Sequence, residues 1–310
     1  MSDTAADILR WAAVLGAAAV FIGLVVGSEV LRRRRLRRLA AEPVPPAWAK
    51  ILQENVPIYR RMPDDLKAEL RRRLKVFMAE RRFEGCRGLE MTDTIRITIA
   101  AQACVLLVGR KDAYRPTLTV ILVYPHRYIA PALRTQYPHI SMPEERLGES
   151  WGHGTVVLAW DEVKQGPRDL TDGRNLVLHE FAHQLDQEDG FSDGVPTLDR
   201  RSDYEQWISV LGARYAELRR TVEEAQRWGR PADETGTSAD AAKTVLDPYG
   251  ATNLAEFFAV ATEAFFEKPD ELKRELPDLY DALAKYYRLD PAEWGRRPGA
   301  PRFSGSQQAT

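Results

Sequence analysis

Hydrophobic positions along the chain fall into two regimes. From Trp11 to Gly27 they form one run without a charge, WAAVLGAAAVFIGLVVG. Its seventeen residues sit at the lower edge of a bilayer-spanning helix, and Val30 and Leu31 can extend it. Beyond the run the apolar residues become periodic. After Pro63-Asp64-Asp65, Leu66, Leu70 and Leu74 recur at every fourth position. That predicts a helix to about Glu80, with the proline and the acidic pair in its first turn. Thr92 reads as an N-cap, and Ile95, Ile99, Ala103 and Leu107 mark one face of a helix to about Leu107. The alternation of Ile95, Ile97 and Ile99 leaves a strand as the rival there. Residues 117–124, TLTVILVY, are short, β-branched and apolar and read as a strand, as do residues 155–163, TVVLAWDEV. Further helices are expected over about 174–187, from Ser202 or Asp203 to Trp228, over 254–267 before Lys268-Pro269, and over 277–288. Pro43, Pro45 and Pro46 predict an extended spacer over residues 42–48. Residues 231–253 read as polar loop and residues 291–310 as a loose tail. Helices dominate around a small sheet, which is an α+β class. The expected organisation is an anchor with a basic flank over residues 1–40, a folded domain over 41–290 and a flexible tail over 291–310.

Charge gives the first run its meaning. Six arginines lie between Arg32 and Arg38, whereas the residues before the run hold Arg10 against Asp3 and Asp7. A secretory signal peptide wants its positive charge before the apolar run and a small-residue cleavage site after it. A core helix would sit oddly beside six arginines. An apolar run followed by arginines predicts a single spanning helix over residues 11–31, with Met1 outside and the following domain in the cytoplasm. Beside such a span the arginine block reads as a topology and lipid-headgroup signal rather than a nucleic-acid patch.

Composition narrows the rest. The 310 residues are 44% hydrophobic and 29% charged, which excludes a disordered chain, a fibre and a multi-span membrane protein. Lys and Arg total 44 against 45 Asp and Glu, a net charge of −1 that argues against a dedicated nucleic-acid binder. Cys86 and Cys104 make neither a disulfide framework nor a cysteine-rich zinc site, and suit a reducing compartment.

The chemistry is concentrated in Asn175-Leu-Val-Leu-His179-Glu180-Phe-Ala-His183-Gln-Leu-Asp186. Four helical residues turn the chain by about 400°, so His179 and His183 lie on one face and both imidazoles can reach one Zn²⁺. Glu180 is rotated by about 100° from His179, beside the place of a water rather than in a ligand position. Zinc would lower the pKa of such a water to about 7, and Glu180 could take its proton. Apolar neighbours make this a buried helix, whose ionisable groups need partners. The plainer alternative is a pair of hydrogen-bonded core histidines. A catalytic zinc needs a third protein ligand. No histidine follows His183 at a useful spacing, and His126, His139 and His153 lie upstream in expected loops. Glu256 and Glu263 share one face of an otherwise apolar helix, seven residues apart. Asn253-Leu-Ala-Glu256 also fits a capping box, so the spacing leaves Glu256 open between ligand and cap. Asp186 and Glu263 could orient an imidazole, as metal-bound histidines require. Tyr249 reads as an ordinary loop tyrosine.

Three strings carry a resemblance: Trp160-Asp-Glu-Val163, His179-Glu-Phe-Ala-His-Gln-Leu-Asp186 and Asn253-Leu-Ala-Glu-Phe-Phe-Ala-Val260. In this order, within residues 48–290, they resemble the Mlc titration factor A family of bacterial zinc peptidases, similar in turn to the catalytic domain of anthrax lethal factor. The resemblance implies a zincin-like, gluzincin-type metallopeptidase domain. It implies His179, His183 and Glu256 as zinc ligands and Glu180 as general base. It also implies Tyr249, seven residues before Glu256, as a donor to the developing oxyanion.

The expected function is therefore hydrolysis of peptide bonds at a zinc site, by a single-pass protein of the bacterial inner membrane acting on a peptide or protein. Residues 156–158 could offer a strand edge to an extended substrate. The alternative, which the family name itself supports, is a protein that sequesters a transcriptional repressor with little or no turnover.

Overall fold

The computed structural model describes residues 3–111, 113–114, 118–126, 154–166, 173–227 and 244–294. The chain divides into two compact units, residues 1–44 and 45–310.

The first unit is one continuous helix, α1 (Asp3–Ala41). Among the described residues it is the helix long and apolar enough to cross a membrane, from Val14 to Ala41. Its apolar side chains are exposed, Phe21 and Leu24 each 68%. Glu29 binds Arg32 at 2.9 Å and Arg33 at 2.6 Å, which neutralises the first part of the basic block within the helix.

The proline-rich spacer is shorter than expected. Helix α1 runs through Ala41, and α2 (Pro46–Asn55) starts on the last of the three prolines. Proline is tolerated at a first helical position because that N–H would have no helical partner. Only the residues up to Pro45, at φ −53 and ψ 140, stay extended.

In the second unit α3 (Pro57–Arg61) and α4 (Asp64–Glu80) lead into β1 (Arg82–Gly85). Pro63 stands at the N-cap of α4 rather than inside its first turn. Next comes α5 (Asp93–Val105), where Thr92 caps as expected, its Oγ1 accepting from the Ile95 N–H at 3.3 Å. The strand rival fails for a simple reason. Ile95, Ile97 and Ile99 are all buried, and a helix buried on every side shows no helical period.

Strands β2 (Val120–Tyr124) and β3 (Thr155–Ala159) complete a parallel sheet in the order β1-β2-β3. Its register aligns Phe83 with Ile121 and Ile121 with Val156. Parallel neighbours need a crossover, which α5 supplies between β1 and β2. The strand expected over 155–163 ends at Ala159, and Trp160–Gln165 forms a short helix, α6. Asp161 and Glu162 in its first turn favour helix over sheet.

The site elements follow: α7 (Leu176–Asp186), α8 (Arg201–Arg227) and α9 (Leu254–Glu267). The last two helices are α10 (Pro269–Glu275) and α11 (Pro277–Tyr287). The expected tail begins as a 3-10 turn, Pro291–Glu293, with Ala292 and Trp294 buried; residues 295–310 lie outside the described residues, as do 231–243 of the expected loop.

Helix α7 packs against α5, β3 and α9. Phe181 fills the core beside Phe77 and Tyr114, with ring centroids 5.8 and 5.0 Å away. Helix α9 is nearly all core: Phe257, Phe258, Phe265 and Phe266 are fully buried. Burying each is worth about 1.5–3 kcal/mol, enough to hold charged groups carried on the same helix in place.

Candidate metal centre

Helix α7 starts at Asn175, which does four things at once. Its Oδ1 accepts from the Leu178 N–H at 3.1 Å, capping the helix. Its Nδ2 donates to Gln102 Oε1 at 2.7 Å and to Glu267 Oε1 at 2.9 Å. Its own backbone N–H donates to the Glu263 carboxylate. One and two turns into the helix come His179 and His183, with ring centroids 4.9 Å apart.

Helix α9 brings the third group. Asn253 caps it, its Oδ1 accepting from the Glu256 N–H at 2.9 Å. The Glu256 side chain does not fold back to complete a capping box. Its Oε2 lies 3.0 Å from His179 Nε2 and 3.4 Å from His183 Nε2, and the two Nε2 atoms are 3.3 Å apart. Bonds of about 2.0–2.1 Å to a tetrahedral zinc place ligand atoms roughly 3.3 Å from one another. The three distances match that spacing, and two imidazoles with one carboxylate are a donor set that zinc takes. His179, His183 and Glu256 thus form a group able to hold a metal ion.

Around this group the charges are arranged in layers. Glu263 Oε1 lies 2.7 Å from His179 Nδ1, the far side of the ring from Glu256. Burial opposes the charged imidazolium of His179, but Glu263 and Glu256 outweigh it and hold its pKa well above the ordinary histidine value. Burial also works to raise the Glu256 carboxyl, yet hydrogen bonds from His179 and His183 take it far below the usual carboxylate range. At Glu263 burial prevails over His179 and the pKa is raised. Burial pushes the Glu180 carboxyl up to about 7 against the pull of His179 and His183. Glu180 is completely buried, and neither of its oxygens has a hydrogen-bond partner among the described residues.

The remaining expected residues are placed as follows. The Tyr249 ring centroid is 5.9 Å from that of His179. The Tyr249 N–H donates to Asp247 Oδ1 at 2.8 Å, and Asp247 Oδ2 accepts from Arg174, the residue before the α7 cap. Asp186 turns to the following loop, with Oδ2 accepting from the Gly194 N–H at 3.0 Å. Its pKa is raised to about 6 by burial, against the Gly194 N–H and His183. His126 is an exposed side chain 3.3 Å from Asp161, and His139 and His153 lie outside the described residues. Sequence reasoning missed Asn175, Gln102, Glu267 and the Arg174–Asp247 pair. Of these, Asn175 alone left a trace, as an N-cap residue before an apolar helix.

Comparison with known proteins agrees with this geometry. A family model described as glucose-regulated metallo-peptidase M90 matches residues 30–288. An uncharacterised protein of Synechocystis sp. is 38% identical over 260 residues, 83% of this chain and 89% of that one. A protein of Pectobacterium atrosepticum named Mlc titration factor A is 30% identical over 246 residues, 76% of this chain and 84% of that one. A Serratia proteamaculans protein of the same name is 36% identical over 152 residues, 49% of this chain and 52% of that one.

Proposed function

The chain belongs to the glucose-regulated metallo-peptidase M90 family, and from that premise we propose that it is a zinc-dependent peptidase anchored in the bacterial inner membrane, with its catalytic domain in the cytoplasm. The observation that carries the reading is a His-His-Glu group at tetrahedral ligand spacing, adjoining a buried carboxylate that no other described residue uses.

His179, His183 and Glu256 would hold the ion, and Glu263 would fix the tautomer and ring orientation of His179. A bound zinc supplies Lewis acidity that polarises a scissile carbonyl and acidifies a water. Glu180 accepts the proton of the attacking water and returns it to the leaving amine. Its lack of a hydrogen-bond partner among the described residues suits that task, since none of them is a fixed donor to be given up. The Tyr249 phenol, on the His179 side of the site, donates to the developing oxyanion. Asp247 and Arg174 hold the Tyr249 segment against the start of α7. Glu180→Gln tests the reading: the variant should retain one zinc per chain and lose peptide hydrolysis. Turnover at the wild-type rate in that variant would exclude Glu180 as the base.

Helix α1 anchors the protein through residues 11–31, and the arginines after the span keep the folded domain in the cytoplasm. We assign residues 1–40 to the anchor and basic flank, 41–290 to the peptidase domain and 291–310 to a tail. Reporter fusions after Thr310, one active only inside and one only outside, test the orientation.

A second reading is favoured by the name of two relatives, Mlc titration factor A. On it, the chain captures a transcriptional repressor and turnover is weak. Repressor binding that survives Glu180→Gln and metal removal, with no peptide cleaved by wild type, would favour capture over catalysis.

A further inference from the structure

Between the end of α7 and the start of α8 the chain makes a loop, and one of its residues touches both helices that carry the candidate ligands. We propose that Gly194 is a positioning residue for the metal centre, tying the end of the His179/His183 helix to the first turn of the Glu256 helix. The proposal rests on the zinc-peptidase reading and adds to it.

Gly194 is held on three sides. Its N–H donates at 3.0 Å to Asp186, the last residue of α7 and fully buried. Its carbonyl accepts from Trp207 Nε1 of α8 at 3.0 Å. Its α-carbon rests on the backbone of Leu254: a β-carbon there would stand 2.4 Å from the Leu254 oxygen and 2.7 Å from its carbonyl carbon. Leu254 opens α9, two residues before Glu256. Gly194 also has φ +77, a conformation that side-chain-bearing residues rarely adopt.

Magnitudes make the contact matter. A carbon 2.4 Å from a carbonyl oxygen must move away by roughly 1 Å to reach ordinary contact. The obstacle is helix backbone, so no side-chain rotation relieves it. Metal–ligand distances tolerate only about ±0.2 Å. Pushing the first turn of α9 by several times that amount carries Glu256 out of register with His179 and His183. The same loop contains its own control. Gly190 has φ +102, but a β-carbon there would meet nothing within 4 Å among the described residues. Alanine at Gly190 strains the loop without pressing on α9.

The test compares zinc affinity and Co²⁺ absorption of the full chain with Gly194→Ala and Gly190→Ala. Gly194→Ala should weaken zinc by at least about tenfold, the range seen when groups behind metal ligands are disturbed. The visible bands of its Co²⁺ form should shift, while Gly190→Ala stays within about twofold of wild type in affinity with unshifted bands. Melting of Gly194→Ala without metal should fall further than that of Gly190→Ala, because the clash with Leu254 adds to the backbone strain the two share; shifted Co²⁺ bands, which loop strain at Gly190 does not produce, separate positioning from loop strain. Equal zinc affinity in Gly194→Ala and Gly190→Ala overturns the proposal. Should Gly194→Ala not fold, Trp207→Phe decides. It keeps an aromatic ring and removes the donor to the Gly194 carbonyl, so roughly threefold weaker zinc with shifted Co²⁺ bands is expected and wild-type behaviour overturns the idea. A wild-type chain that binds no zinc refutes the peptidase reading itself, whereas zinc binding that ignores Gly194 refutes only the tie.

Discussion

Helices α1 and α9 are both rich in large apolar residues and meet opposite fates. In α1, Phe21 and Leu24 are each 68% exposed; in α9, Phe257, Phe258, Phe265 and Phe266 are fully buried. The difference lies in where their charges fall. The span of α1 holds no charge, and its arginines come after it. Helix α9 interleaves Glu256, Glu263 and Glu267 with its phenylalanines, and each carboxylate meets a group of α7 or its cap. An apolar helix without internal charge asks only for hydrocarbon. One with internal charge specifies which protein neighbours it must have, because an unpaired buried carboxylate is too costly to leave.

The comparison can be broken most decisively at α1. Deleting residues 1–44 should move the chain from the membrane fraction to the soluble fraction with its fold intact; a deleted chain that still sediments with membranes would end the anchor reading. At the other helix pair, Glu180→Gln should lower peptide turnover by about 10²–10⁴-fold in steady-state assays, with zinc content unchanged. A like-for-like substitution then sharpens the contrast. Phe258→Ala should cost about 3–5 kcal/mol in denaturant unfolding, because Phe258 is packed between Trp207 and Tyr286. Phe21→Ala should stay within about 0.5 kcal/mol in the same measurement. A modest effect belongs to the cap. Asn253→Ala should cost about 0.5–2 kcal/mol of stability, whereas Glu256→Gln should weaken zinc far more than it lowers melting. Equal zinc content in Glu256→Gln and wild type would remove Glu256 from the ligand set.

The sequence was most legible where period or punctuation was strong. Helix α9 spans the expected residues because a capping asparagine opens it and Lys268-Pro269 closes it. Helix α5 was ambiguous because burial on every side erased the face that periodicity detects. The strand expected over 155–163 was too long because its apolar start masked a helical turn led by Asp161 and Glu162. At the site, His179, His183, Glu256 and Glu263 announced themselves as charges in apolar helices. Gly194 and Asp247 could not, since their importance comes from contacts across more than fifty residues, with the Leu254 backbone and the Arg174 side chain, and no local pattern records such distances.

His179 and Glu256 are 77 positions apart. A ribosome adds about 5–20 residues per second, so several seconds pass between the emergence of the two. Throughout that interval the nascent chain carries the two histidines without the Glu256 carboxylate that meets them. The assembled His-His-Glu group is therefore a late product of synthesis, complete only once the second helix has docked. Chains truncated before Leu254 should accordingly bind zinc far more weakly than the complete protein, and tight zinc binding by them would show that the ion is captured earlier.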